Sequence, residues 1–255
     1  MIENRKVFME LLFEMTRKEL RTRYKYTFFG FLWLVANPVI QMLVIGFVFT
    51  YFMKEPVEQY YYFLFIGLLI WNFFSQSLTK ATPSLVFERA LIKKASFPNE
   101  VIVLSIILSN GIHFLTALLI CLVLTIVSGT FDMSKSLYLL LGVTLLGIFT
   151  TGISLLTSAL NVRYRDTNFF VQALLIPWFY ITPVIYSLTY IPSTLLWIWH
   201  LNPLTGIIRL IQYPLLNTSL PGTPSLLTGC LVILVITILG MVVFKKQSVY
   251  FDDWL

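Results

Sequence analysis

The sequence predicts an all-α integral membrane protein that crosses the bilayer six times. Hydrophobic residues make up 58% of the chain and charged residues 12%, whereas a soluble domain has roughly 25% charged residues. The mean hydropathy is +0.83. Several apolar stretches reach about 20 residues, the length that spans a bilayer as a helix. Too little of the chain is polar to cover a soluble protein of 255 residues, so we expect lipid to be its solvent.

Six stretches are predicted to be spans within a single transmembrane domain that covers residues 1–255. The stretch 169–186 carries two prolines, Pro177 and Pro183, and is less regular than most of the others. An even number of spans places both termini on the same side of the membrane. The six predicted spans are residues 31–53, 60–78, 101–127, 137–160, 169–186 and 226–244.

The basic residues predict which side that is. Of the 18 lysine and arginine residues, all but Lys54, Lys135 and Arg209 fall on the predicted side of the termini. Cytoplasmic segments of membrane proteins are enriched in lysine and arginine, so we expect both termini to be cytoplasmic. This distribution also explains the pI near 9.3 without a nucleic-acid partner.

Residues 3–26 are predicted to form an amphipathic helix in the membrane interface. Its apolar residues recur at helical spacing, and they are Val7, Phe8, Leu11, Leu12 and Met15. One interpretation is a membrane-surface anchor. The other is a helix that leans on a cytoplasmic partner or guides an anionic lipid headgroup, and the basic residues for that role are Arg17, Arg21, Arg23 and Lys25.

The first span contains Asn37, Pro38 and Gln41. Proline frees a backbone carbonyl, and such a group inside a membrane must be satisfied by protein or water. This face therefore either borders a water-filled path or packs against another helix. Aromatic residues follow toward the predicted outer side, and they include Tyr51, Phe52, Tyr60 and Tyr61. They fit an interfacial aromatic belt or a collar of rings on which sugars stack.

The segment FERALIKKASFPNEV after the second span is predicted to contain a short cytoplasmic docking helix at 86–98. An apolar stripe alternates with charged residues, and Pro98 ends the helix. A loop that only sets topology needs the lysines but not the stripe. The residues predicted to contact a partner are Phe87, Glu88, Arg89, Leu91, Lys93, Lys94, Phe97 and Pro98.

Residues 194–217 are too short and too interrupted to span the membrane. They are predicted to form two short re-entrant helices on the outer side, between spans five and six, with Trp197, Trp199 and Arg209 among their residues. In the third span, His113 is an ionisable residue at membrane depth, which suggests function. The alternative is a neutral histidine that is hydrogen-bonded to a neighbouring span.

The sequence NVRYRDTNFF places Arg163, Arg165 and Asp166 between two apolar stretches. Three interpretations compete: a topology signal, a catalytic site and a structural joint. Topology accounts for the arginines but not for Asp166, because acidic residues contribute little to orientation.

The chain shows little catalytic or ion-coupling chemistry. No glycine is followed by lysine, which excludes a P-loop, and no Ser/His/Asp set or metal site is evident. The predicted outer carboxylates are Glu55, Glu58 and Asp132 only, which disfavours a membrane enzyme. A secondary transporter is disfavoured because neither an inverted repeat nor a buried acid is present. We therefore expect a permease that is energised by another subunit.

The order of these segments closely resembles the membrane subunits of ABC exporters for O-antigen, teichoic acid and capsular polysaccharide. The resemblance covers almost the whole chain. It is carried, in order, by FGFLWLVANPVIQ, LIKKASFPNEV, NVRYRDTNFF, ITPVIY and LNPLTGIIRLIQ. Each segment is weak alone, but their order and spacing are specific. Thr182 stands where many members have serine before the proline, and both carry a hydroxyl.

The resemblance implies a homodimeric permease in the inner membrane, paired with two copies of a separate ATPase. That ATPase would bind ATP and Mg²⁺, so this chain needs no cofactor. Residues 87–98 would be the coupling helix, and the substrate would be a polyprenyl-pyrophosphate-linked glycan. Within the superfamily, permeases for drugs, haem or lipids are the alternative, disfavoured by the short outer helices and the lack of a large outer domain.

Three site hypotheses follow from this resemblance. Arg163 or Arg165 would pair with Asp166, or with a carboxylate of the N-terminal helix, to stiffen a joint against the ATPase stroke. The basic residues at 17, 21, 23 and 25 would receive the pyrophosphate. Between two copies of the chain, Asn37, Gln41 and the aromatic residues at 51, 52, 60 and 61 would line the glycan route.

Overall fold

The computed structural model describes residues 2–25, 30–52, 59–94 and 97–255, and among these the side chains of 2–5, 24, 31 and 52 are not described. This part of the chain is helical. The α-helices are α1 (Ile2–Tyr24), α2 (Trp33–Phe52), α3 (Tyr60–Phe87), α4 (Arg89–Lys94), α5 (Glu100–Val127), α6 (Ser136–Arg163), α7 (Asp166–Ile181), α8 (Leu196–Leu201), α9 (Pro203–Leu216), α10 (Thr223–Ser248) and α11 (Phe251–Trp254).

Five helices of the described chain are long and apolar enough to cross a membrane: α2, α3, α5, α6 (here together with the short helix Met133–Lys135 before it) and α10. Each coincides with a predicted span. The prediction was too short for α3, which continues to Phe87 rather than ending at residue 78. With 28 residues, α3 is about 42 Å long and exceeds the roughly 30 Å hydrocarbon core.

The remaining predicted span, 169–186, is a shorter helix followed by extended backbone. Helix α7 has 16 residues, about 24 Å, and ends at Ile181 because Thr182 precedes a proline, which disfavours the helical conformation. Residues 182–185 are buried, and the Ile185 carbonyl accepts a hydrogen bond from Tyr60 at the start of α3. After α7 the chain thus continues as non-helical backbone to the N-terminal end of α3. Neighbouring protein covers this backbone, which is the condition for non-helical backbone inside a membrane.

Helix α3 lies at the centre of the bundle. It packs against α2, α5, α6, α7 and α9, and its side chains Leu64, Ile66 and Phe74 are fully buried. The Phe74 ring stacks on Phe149 of α6 at 5.4 Å and lies edge-on to Trp178 of α7. Burial of such aromatic side chains is a large source of packing energy.

The bundle has two distinct ends. We call the end with α4, Arg163 and α11 the basic end, and the end with Tyr60, Asp132 and Asn217 the opposite end. Helix α9 lies toward the opposite end and is almost entirely buried, with Gln212 donating to the Phe63 carbonyl at 3.2 Å. The two short helices predicted at 194–217 are therefore α8 and α9.

Helices α6 and α10 cross at a backbone-to-backbone contact. A Cβ added to Gly152 would lie 2.5 Å from Thr237 Cα, and one added to Gly240 would clash with the Gly152 carbonyl oxygen. Only glycine allows this approach, so the position of α10 depends on these two residues.

Candidate functional site

A polar cavity lies between the end of α1 and helices α2, α3 and α5. Its volume is about 330 Å³, within the roughly 300–1,000 Å³ of small-ligand sites. Polar side chains from four helices converge on it, together with apolar ones. The lining residues are Arg23, Trp33, Leu34, Asn37, Pro38, Gln41, Leu69, Asn72, Phe73, Gln76, Lys80, Asn110, His113, Phe114 and Ala117.

Arg23 is anchored in this cavity by two side chains of α5. Its guanidinium donates hydrogen bonds to Asn110 Oδ1 and to His113 Nδ1. A guanidinium has donors only, so Nδ1 of His113 must accept, and the imidazole is neutral with its proton on Nε2. Asn110 in turn donates to Ser77 Oγ at 3.1 Å. His113 thus bonds to the N-terminal helix, whereas the sequence suggested a neighbouring span.

Lys80 is the second cation of the cavity, and it repels Arg23 electrostatically. No aspartate or glutamate is among the described lining residues. The carboxylate that attracts Lys80 is Glu19, which lines a neighbouring cavity. Two cations and no carboxylate among the described lining residues favour an anionic ligand.

Amide side chains line the rest of the cavity. Asn72 and Gln76 precede Lys80 by two and one helical turns, so all three share one face of α3. Asn37 and Gln41, one turn apart on α2, lie across from them, and Asn72 Nδ2 donates to Gln41 Oε1 at 2.8 Å. The cavity therefore joins a cationic end, formed by Arg23 and Lys80, to an amide patch, formed by Asn37, Gln41, Asn72 and Gln76.

A second cavity of about 320 Å³ adjoins the first and shares Lys80 with it. At the basic end it is bordered by Lys18 of α1 and Glu88, which lies between α3 and α4, and Lys18 Nζ is 2.6 Å from Glu88 Oε1. This ion pair links the N-terminal helix directly to the start of α4.

Of the four residues predicted to bind the lipid headgroup, one lines the cavity. Arg23 lines the cavity, whereas Arg17, Arg21 and Lys25 are not among its described lining residues. Arg17 lies 3.7 Å from Glu14 on the same helix. Lys80, which the sequence placed in a connecting loop, lies inside α3 and completes the cationic end.

The predicted glycan-path residues divide in the same way. Asn37 and Gln41 line the cavity, and Tyr51 is 77% exposed on α2. Tyr61 packs on Gly46. Tyr60 is buried and its hydroxyl donates to Ile185, so the structure gives it a packing role. The Phe52 side chain lies outside the described side chains.

The docking helix predicted at 86–98 is shorter in the structure: α4 spans Arg89–Lys94, Phe87 is the last residue of α3, and Phe97 and Pro98 are not helical. Ile92 buries its side chain against the core, and Leu91 and Phe97 pack partly against it. Phe87 is 78% exposed, and Arg89, Lys93, Lys94 and Pro98 are exposed or partly exposed. Glu88 faces Lys18, so within this chain it connects α4 to α1.

The joint predicted at Arg163, Arg165 and Asp166 is held by contacts other than the predicted ion pair. Arg163 lies over the rings of Tyr164 and Trp254 at 5.2 and 5.3 Å, and the ion pairs found among described residues do not include Arg163, Arg165 or Asp166. The turn is held by Asn161, a buried residue whose Oδ1 accepts from Asn168 N at 3.2 Å. Asp166 is the first residue of α7, where a negative charge favours the helix dipole.

Of the three residues predicted at the outer helices, one is exposed and two form hydrogen bonds within the chain. Trp197 is 61% exposed, and Trp199 Nε1 donates to the Tyr186 hydroxyl at 3.0 Å. Arg209 donates to Ser219 Oγ at 3.3 Å and to backbone carbonyls beside it. In the part of the chain that the structure describes, no group of three or more metal-ligating side chains lies together.

Comparison with known proteins identifies the family. The model of the ABC-2 type transporter family matches residues 10–216. This chain belongs to the ABC-2 type transporter family. It is 34% identical over 254 residues to the O-antigen export system permease protein RfbA of Klebsiella pneumoniae, and the alignment covers 96% of this chain and 95% of the relative.

Two further relatives match the ABC-2 chain over almost their full length. RfbA of Myxococcus xanthus is 30% identical over 245 residues, with 95% of this chain and 94% of the relative covered. The polysialic acid transport protein KpsM of Escherichia coli is 25% identical over 253 residues, with 96% and 95% covered. The resemblance drawn from the segment order is therefore confirmed, and the ABC-2 chain is a multi-pass membrane protein of a transporter family.

Sequence reasoning missed several cavity residues of this ABC-2 chain. Lys80, Gln76 and Asn72 recur every four residues, and this polar stripe at helical spacing was a usable signal. The predicted second span ends at residue 78, before Lys80, so the prediction does not include the whole stripe. Nothing in the sequence signals the hydrogen bond between Asn110 and Arg23.

Proposed function

We propose that this chain is the transmembrane subunit of an ABC exporter that moves a polyprenyl-pyrophosphate-linked polysaccharide of the O-antigen type across the membrane. Near-full-length relatives named O-antigen export permeases support this function. The chain itself is a transport subunit and not an enzyme. ATP and Mg²⁺ bind in a separate partner, which fits the absence of a Gly-Lys dipeptide from the sequence.

The observation that carries the proposal is the cationic end of the cavity. A pyrophosphate needs several charge-assisted hydrogen bonds, and guanidinium and ammonium groups provide them. Arg23 is held in place by Asn110 and His113, so less side-chain entropy is lost when it binds the anion. Relief of the repulsion between Arg23 and Lys80 adds to the attraction.

The partner is a cytoplasmic ATPase that docks on α4. Lys93 and Lys94 are exposed in the last turn of this helix, while Ile92 fixes its inner face. Two copies of the chain form a homodimer that binds two ATPase subunits, and the glycan passes between the copies. The exposed apolar face of α2, which includes Leu43, Val44 and Phe47, contacts lipid or the second copy.

The orientation follows from the basic residues. With both termini in the cytoplasm and the chain in the inner membrane, the basic end faces the ATPase and the cavity opens toward the cytoplasmic leaflet. The polysaccharide then leaves at the opposite end, where α8 and α9 lie. A polymer of the polysialic acid type is the second candidate substrate, supported by the likeness to the polysialic acid transport protein KpsM, which is weaker than the likeness to RfbA.

The function is tested by purifying the tagged chain from its native membrane in mild detergent. We expect a P-loop ATPase to co-purify in equal amounts, and we expect K93E/K94E to reduce the bound ATPase at least 10-fold. The matched control is the pair of exposed lysines Lys245 and Lys246 at the end of α10, whose replacement by glutamate should reduce it less. A chain that purifies without an ATPase would contradict the proposal.

A further inference from the structure

The amide patch is polar surface in an apolar setting. Asn37 and Gln41 on α2 and Gln76 on α3 are exposed, while their neighbours Ile40, Leu43 and Val44 are exposed apolar residues of a span. An amide that faces hydrocarbon without a partner is costly. This patch therefore needs a polar occupant at membrane depth.

The geometry of the patch fits a group that both donates and accepts hydrogen bonds. Asn72 and Gln41 share one hydrogen bond of 2.8 Å, and each amide has two donors and two acceptor lone pairs, so each has capacity for more. Sugar hydroxyls have the same dual character. Trp33, Phe73 and Phe114 add apolar ring surface to the same cavity.

The patch also lies at a suitable distance from the cationic end. Asn72 and Lys80 are two turns apart on one face of α3, which corresponds to about 12 Å along the helix. Arg23 lies between these levels, because its partner Asn110 also bonds to Ser77. This separation is comparable with a pyrophosphate joined to one sugar ring.

We propose that Asn37, Gln41, Asn72 and Gln76 bind the first sugar of the glycan while Arg23 and Lys80 hold the adjoining pyrophosphate. The cavity then recognises the junction between phosphate and sugar. A polyprenyl pyrophosphate without a sugar is bound less tightly, so the empty carrier is rejected. This inference rests on the proposed function and assigns a specificity to the same cavity.

The test compares two probes on the permease–ATPase complex in lipid nanodiscs. The probes are polyprenyl pyrophosphate and the lipid-linked saccharide extracted from cells that make this chain. We expect the wild type to bind the saccharide-bearing probe at least 10-fold more tightly. In Q41L/N72L this preference should fall to about 3-fold or less, with binding of polyprenyl pyrophosphate unchanged.

The control variant is Q172L, which breaks a similar amide pair on α7, where Gln172 donates to Asn168 at 3.2 Å. It should keep the wild-type preference. Equal binding of both probes by the wild type, or a full preference in Q41L/N72L, would overturn the sugar site. Loss of the homodimer in Q41L/N72L would also overturn it, since the amides would then pack against the second copy.

Failure of the proposed function gives a different result. If neither probe binds the wild type, or if R23Q and K80Q bind both probes as well as the wild type does, the pyrophosphate site itself is wrong. If R23Q weakens both probes equally while Q41L/N72L weakens neither, the function stands and only the sugar site is rejected.

Discussion

Lys18 Nζ on the N-terminal helix lies 2.6 Å from Glu88 Oε1 at the junction between α3 and α4. The two side chains are 52% and 29% exposed, so the pair contributes only about 0.2–1 kcal/mol to stability. Its importance lies in what it connects. Helix α1 carries Arg23 of the cavity, and α4 is the proposed docking site of the ATPase, so the pair connects the proposed substrate site to the proposed docking site.

The Lys18–Glu88 pair is expected to affect coupling more than folding. K18E or E88K should reduce the glycan transported per ATP hydrolysed in proteoliposomes several-fold, because like charges push α1 away from α4. The double variant K18E/E88K restores the attraction and should restore the ratio. R17E is the control, since the ion pair of Arg17 lies within α1. An equal loss in R17E, or no rescue in the double variant, would contradict this role.

The α6–α10 crossing is expected to tolerate no side chain. In G240A the new methyl group meets the Gly152 carbonyl, and such overpacking costs about 1–3 kcal/mol. Thermal unfolding in detergent should therefore shift to a lower temperature. Gly147 of α6 has open space around an added Cβ, so G147A should be neutral or stabilising. Equal unfolding temperatures for G240A and the wild type would show that the helices can separate freely.

The turn between α6 and α7 is expected to depend on Asn161 more than on Asp166. N161A removes the acceptor for Asn168 N, and a lost hydrogen bond of this kind costs about 1 kcal/mol. D166A removes an exposed charge at the start of a helix, which is worth about 0.3–1 kcal/mol at low ionic strength and less in salt. Denaturation of the two variants in detergent measures both. A larger loss of stability in D166A than in N161A would instead support the predicted ion pair of Asp166 with Arg163 or Arg165.

The C-terminal helix α11 is expected to support the docking helix. It contacts α4 and α6, Phe251 is fully buried, and Arg163 lies over the Trp254 ring. W254A removes a cation–π contact of about 0.5–1 kcal/mol together with packing beside α4. The amount of ATPase that co-purifies should fall two- to five-fold, and W254F should retain most of it. If W254A retains all of the ATPase, α11 has no part in docking.

The fold was largely predictable because membrane spans depend on composition and length. Apolar runs located α2, α5, α6 and α10, and helical periodicity located α1. Prediction failed where tertiary contacts override local polarity. Lys80, Thr82, Pro83 and Ser84 look like a loop, yet α3 continues through them because Thr82 and Ser84 are satisfied by hydrogen bonds to α3 carbonyls and, for Thr82, to Thr157 of α6.

The site was predictable only in part, for the same reason. Arg23, Asn37 and Gln41 carried visible signals: a basic helix, a proline break and polar residues in a span. Their meeting with Asn72 and Lys80 depends on how α2 and α3 pack, which one sequence does not reveal. The interaction of Arg163 with Trp254 joins residues 91 positions apart in sequence, whereas local proximity had suggested Asp166.

The proposed role of the cationic end of the cavity is to receive a lipid-linked pyrophosphate for export. ATP-driven movement of radiolabelled lipid-linked glycan across proteoliposomes that contain the chain and its ATPase measures this role. We expect movement with the wild type and at least a 10-fold loss in R23Q, with basal ATP hydrolysis and the R17Q control unaffected. Full transport by R23Q, or no ATP-dependent movement by an assembled wild-type complex, would contradict the account.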